Sequence, residues 1–185
     1  MKKNLCFGLK KSKTDPIDRL VSFQFDKHEK IEYPDYFSLK DQVKQVYDQQ
    51  DINACSANAA ANFVSLSDHN QLIKCSISRL FLYFTTRWLD NDKKLPVEDN
   101  GATLKNLMKS ITDYHYIDEV KYPYITSKVN DIPNQQVFTE AISVNKCPIS
   151  SYRQIIPTIE SIKYILFKLK LPILFGISVY DNFFI

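Results

Sequence analysis

The stretch Val46-Tyr47-Asp48-Gln49-Gln50-Asp51-Ile52-Asn53-Ala54-Cys55-Ser56-Ala57-Asn58-Ala59 decides how the chain is read. Polar, turn-forming residues give way at Asn53 to a small, alanine-rich apolar run that continues through Phe63 and Val64. Ala57, Ala60, Ala61, Phe63 and Val64 recur at helical spacing, which predicts a buried helix beginning near Cys55 with a narrow face able to approach other elements closely. A cysteine at a helix N-terminus faces unsatisfied backbone N–H groups and the positive end of the helix dipole, and both favour the nucleophilic thiolate. A glutamine six residues earlier, Gln49, can present its amide across a tight turn to the same spot. With the backbone N–H of Cys55 it would form an oxyanion hole for an acyl intermediate. The same residues also read as a small buried cysteine on an alanine-rich helix, since free cysteine is among the most buried residue types.

Outward from this stretch, apolar positions recur at steps of three and four over residues 78–89, where Leu80, Phe81, Tyr83, Phe84 and Trp88 predict a second helix. A turn-rich, charged loop follows it. A third helix is expected over 102–114, with Gly101 before it and Thr103 as a candidate cap. Weaker helical patterns cover 135–145 and 157–169, the latter with Ile159, Ile162, Ile165, Leu166 and Leu169 on one side. Residues 149–155 alternate as a strand does, and the apolar run at 171–180 reads as a buried strand bounded by Pro172. Helices first and strands later fit an α+β architecture. Residues 1–36 read as an extended N-terminal arm whose apolar stripe of Leu20, Val21, Phe23 and Phe25 packs a short strand on the body. Residues 37–145 form a helical lobe carrying the cysteine, and 146–185 begin a β-rich lobe.

Composition narrows the function classes. The chain has 185 residues, 44% of them hydrophobic and 24% charged, as in an ordinary globular protein. A net charge of +3 is too mild for a nucleic-acid partner, and Lys10, Lys11 and Lys13 read as a solvated arm. No window approaches the roughly 18 apolar residues of a membrane span, and the first residues lack the apolar core of a signal peptide. Cys6, Cys55, Cys75 and Cys147 show no paired metal spacing, so neither a metal nor another cofactor is expected. Widely spaced thiols without a secretion signal point to reduced cysteines and an intracellular, cytoplasmic location.

The segment from Val46 to Ala59 resembles the nucleophile region of the papain and cathepsin family of cysteine peptidases, especially its prokaryotic and viral branch. The resemblance places Gln49 on the oxyanion-hole glutamine and Cys55 on the nucleophile. It extends to residues 8–22, with Asp15-Pro16-Ile17-Asp18-Arg19 similar to that branch's leader, and to Ser78-Arg79-Leu80-Phe81-Leu82-Tyr83, similar to its next helix. Asn100-Gly101-Ala102-Thr103-Leu104 resembles the glycine-containing loop whose main chain pairs with extended substrate, which makes Gly101 and Ala102 candidate substrate contacts. Tyr122-Pro123-Tyr124 and Gly176-Ile177-Ser178-Val179-Tyr180 resemble later family segments. The implied fold has a helical left lobe with a central nucleophile helix and the start of a β-rich right lobe. The implied activity is hydrolysis of peptide bonds in peptide or protein substrates.

Two departures stand out. The glycines usual in the family's turn are Gln50 and Asn53 here, of which Asn53 accepts a left-handed backbone more willingly. The family's histidine and asparagine lie roughly 130–150 residues past the cysteine, whereas residue 185 is 130 positions after Cys55. His28, His69 and His115 read as surface residues. The expectation is therefore a peptidase by resemblance that is incomplete or inactive as it stands. The alternative is a non-catalytic, truncated remnant acting as a binding module. A transglutaminase-like acyl-transfer enzyme shares the Cys–His logic but leaves Gln49 unexplained.

Overall fold

The computed structural model describes residues 8–13, 31–143 and 147–180. Five helices are described: α1 (Cys55–Ser67), α2 (Arg79–Asp90), α3 (Leu104–Tyr114), α4 (Gln135–Ile142) and the short α5 (Ile159–Lys163). Strands β1 (Leu9–Lys10) and β2 (Ala102–Thr103) form a parallel pair, with Leu9 opposite Ala102 and Lys10 opposite Thr103.

Helix α1 is central because its side chains are small. Ala57, Ala60 and Ala61 are wholly enclosed, and with Val64 they pack among Leu80, Leu82, Leu107 and Ile111 of α2 and α3. Each neighbouring helix is started by its own cap. Ser78 Oγ accepts the Phe81 N–H at 3.2 Å and Thr103 Oγ1 accepts the Asn106 N–H at 3.3 Å, as the expected Thr103 cap requires. Asp90, the last residue of α2, then fastens the start of α3: its carboxylate accepts from Thr103 N, Thr103 Oγ1 and Asn106 Nδ2 at 2.6–2.9 Å. A second apolar cluster closes the outer side of α2. There Phe138 of α4 meets Phe81, Trp88 and Tyr114 edge-on or tilted, at centroid separations of 5.5–6.2 Å.

The later segments depart from the sequence reading. Neither residues 149–155 nor residues 171–180 form a strand, and Phe175, Ile177 and Tyr180 are exposed. A strand exists only where its backbone pairs with a partner edge, and among the described residues neither segment is paired in that way, although Gly176 lies against the Leu9 side chain of β1. Helix α5 is one turn long and continues as a π-type turn over Tyr164–Lys168; Ile165 is buried while Ile159 and Ile162 face outward. A short strand forms at Leu9–Lys10, while the stripe at Leu20–Phe25 lies outside the described residues, as do the 8–22 resemblance beyond residue 13, His28, Cys6 and the end of the expected helix at 144–145.

Candidate active site

Cys55 is the first residue of α1 and is partly accessible. The residue before it, Ala54, stands at the cap position and offers no side-chain acceptor, whereas α2 to α5 are capped by Ser78, Thr103, Asn134 and Thr158. The first-turn N–H groups beside Cys55 are thus not taken by a cap side chain, which keeps the positive end of the helix turned toward the thiol.

The turn ahead of it is folded back by its own polar groups. Gln49 Nε2 donates to the Ile52 carbonyl at 3.0 Å, so the amide lies against the chain that runs into Cys55. Gln50 N–H donates to Asp48 Oδ1 at 2.8 Å, and Gln50 adopts φ 58°, a left-handed backbone. The strain expected of a non-glycine turn therefore falls on Gln50, the residue less suited to it, and not on Asn53. Asn53 has a different task. Its backbone N–H reaches Asp99 Oδ1 at 3.0 Å and its Nδ2 donates to the Asp99 carbonyl at 2.9 Å. The buried Tyr83 hydroxyl donates to the same carboxylate at 2.6 Å and accepts the Gly101 N–H at 3.1 Å. Burial pushes the Tyr83 phenol far up, and the Asp99 bond adds to this, so it stays a neutral donor. Asp99 thereby ties the approach to Cys55 to the Gly101–Ala102 loop.

On that loop the Ala102 N–H, a candidate substrate contact, donates to the Gly8 carbonyl at 2.7 Å. Gly8 and Gly101 are required there: a Cβ on Gly8 would overlap the Asn53 carbonyl, and one on Gly101, where φ is 85°, would overlap the Gly8 carbonyl. Strand β1 therefore lies directly on this edge.

Behind the Gln49 turn sits a buried cation that sequence reasoning passed over. Arg79 pairs with Glu119 through Nε at 2.9 Å and Nη2 at 2.8 Å, and its Nη1 donates to the Asp48 carbonyl at 3.2 Å and to Asn58 Oδ1 at 2.9 Å. Its guanidinium lies 3.7 Å from the Tyr124 ring centroid and 4.5 Å from that of Tyr47. The Tyr124 hydroxyl donates to the Gln49 carbonyl at 2.9 Å. A signal was present: a cation at the first position of an apolar helix opposes the dipole and needs a local reason.

Two histidines, His69 and His115, lie among the described residues. His69 is exposed two residues past the end of the 13-residue α1, roughly 20 Å along the axis from its start. His115 ends α3 and, against the surface expectation, is half-buried with Nδ1 enclosed and lacking a partner. Burial pushes the other described thiols, Cys75 and Cys147, up. Among the described residues no three His, Cys, Asp or Glu side chains form a metal set, and no helix is long and apolar enough to cross a membrane.

Comparison with solved structures matches 90% of this chain to 64% of xylellain, a cysteine protease from Xylella fastidiosa, with a TM-score of 0.69 at 22% identity. The fold is papain-like. In sequence the chain is 28% identical over 206 aligned positions to an uncharacterized peptidase C1-like protein of Acanthamoeba polyphaga mimivirus, across 96% of this chain and 62% of that protein. No protein-family model matches. The chain thus spans less than two thirds of the length of either relative. The resemblance to papain-like cysteine peptidases, the viral type included, rests on fold and sequence together.

Proposed function

We propose that the chain carries the nucleophile side of a peptidase site, in which Cys55 attacks the carbonyl of a peptide or protein substrate. The observation that carries this reading is a partly accessible cysteine opening the central helix of a papain-like fold, preceded by a turn in which the Gln49 amide bonds the Ile52 carbonyl. The thiolate sulfur bonds to the carbonyl carbon, and the oxyanion that forms is held by the Cys55 backbone N–H and Gln49 Nε2. Cleavage of the C–N bond releases an amine and leaves a thioester, which water hydrolyses. In this reading an extended substrate takes the Gly101–Ala102 edge in place of Gly8. An imidazole must protonate the leaving amine. His69 lies beyond the far end of α1 from Cys55, and the chemistry assigned to the described residues is that of nucleophile and oxyanion hole.

The test is alkylation by iodoacetamide at neutral pH with peptide mapping. Cys55, at a helix N-terminus, is expected to react at least about ten-fold faster than Cys75 and Cys147, whose thiols partial burial pushes up. Equal, slow labelling of all sites overturns the reading and leaves a binding module without an activated thiol.

A further inference from the structure

A buried ion pair is weak evidence for stability, because desolvation offsets most of its attraction. Arg79 therefore invites a question about what its donors hold. Two of its nitrogens are spent on Glu119, which fixes the plane of the guanidinium, and the third divides itself between two targets. One target is the Asp48 carbonyl, in the peptide that leads into Gln49. The other is Asn58 Oδ1, and Asn58 Nδ2 in turn donates to the Ala54 carbonyl at 2.9 Å, one residue before Cys55. Tyr124, stacked on the guanidinium, completes the frame by donating to the Gln49 carbonyl. A single planar cation thus grips the chain on both sides of the gap between the Gln49 amide and the start of α1.

We infer that Arg79 is a positioning residue that sets the separation between the Gln49 amide and the Cys55 backbone N–H, and so the fit of the oxyanion hole. This rests on the peptidase reading above. Lysine keeps the charge but lacks the rigid fork needed to reach Glu119, Asp48 and Asn58 at once. Small displacements at such a site are costly, and one oxyanion donor is worth roughly 100–1,000-fold in rate.

The experiment compares two reactions of Cys55 in wild type, Arg79→Lys and Tyr124→Phe. Alkylation by iodoacetamide forms no oxyanion. Binding of the peptide aldehyde acetyl-leucyl-leucyl-argininal does: sulfur adds to the aldehyde carbon, the carbonyl electron pair moves to oxygen, and that oxygen then takes a proton from solvent. Aldehyde affinity is read as protection of Cys55 from alkylation. Arg79→Lys is expected to weaken protection by at least about 30-fold and Tyr124→Phe by about 3- to 10-fold, each with the alkylation rate within about two-fold of wild type. Tyr124→Phe removes one hydroxyl, bonded to the Gln49 carbonyl and Asn58 Nδ2, while keeping the ring, and serves as the milder arm. Unchanged protection in a folded Tyr124→Phe and Arg79→Lys pair overturns the inference, and so does a parallel loss of both reactions, which marks a merely structural role. Absence of selective Cys55 labelling and of protection in wild type overturns the peptidase reading itself, and this inference with it.

Discussion

Gln50 holds a left-handed backbone, φ 58°, in the turn between the candidate oxyanion residue and the candidate nucleophile. For a side chain with a Cβ that conformation costs roughly 1–2 kcal/mol, which glycine avoids. Glycine in turn loses more conformational freedom on folding, a penalty of roughly 0.5–1 kcal/mol. The Gln50 side chain is exposed, and the turn's hydrogen bond to Asp48 comes from the backbone N–H, so Gln50→Gly removes strain without removing that bond. The net expectation is a gain of about 0.5–1 kcal/mol. For a chain of this size each kcal/mol moves the melting temperature by about 2–4 °C, so a rise of about 1–4 °C is expected in thermal unfolding. The urea midpoint should rise with an unchanged slope. Gln50→Ala keeps the Cβ and is the control, expected to gain nothing. A lower melting temperature for Gln50→Gly, or an equal gain for the alanine variant, would refute the strain argument.

Tyr83→Phe leaves the Gly101 N–H without its acceptor and removes one of the two donors to the Asp99 carboxylate, and should cost about 1–3 kcal/mol in urea unfolding. In the same variant, hydrogen exchange should quicken at the Asn53 and Gly101 amides, both tied to that frame. Stability should also fall in alkali. Burial, with nearby Cys75, Cys147 and Asp68 adding to it, pushes Tyr116 up to about 12 from the usual 10, and Tyr47, Tyr122 and Tyr124 are raised chiefly by burial as well. A raised folded value means that this contribution is complete below pH 10, where unfolded tyrosine is still neutral, and is lost as pH climbs from 10 through 12. Urea midpoints across that window, read beside tyrosinate absorbance, check it; a flat profile would contradict it.

The helices around Cys55 were legible because their information is local. Alanine spacing set α1, apolar steps of three and four set α2, and Gly101 and Thr103 marked the start of α3. Strands failed for the complementary reason. Residues 171–180 have the composition of a strand, but pairing depends on an edge supplied from elsewhere in the chain, and sequence alone does not say where that edge is. The same divide runs through the site. Cys55 and Gln49 stand six residues apart in one readable segment. By contrast Asn53 meets Asp99 across 46 positions and Arg79 meets Glu119 across 40, and no spacing rule connects such pairs. The resemblance covered Ser78-Arg79 and Tyr122-Pro123-Tyr124 as separate segments and did not say that Arg79 and Tyr124 stack.

The enclosed pair of Arg79 and Glu119 also constrains how this sequence can drift over generations. Losing either partner alone strands a buried charge, at a cost of about 3–5 kcal/mol, against a whole-protein margin of about 5–15 kcal/mol. Replacing both by apolar residues of similar bulk would cost far less in stability. A single change that discharges one partner removes a large share of that margin, so descendants are expected to keep both charges or to have exchanged both residues together.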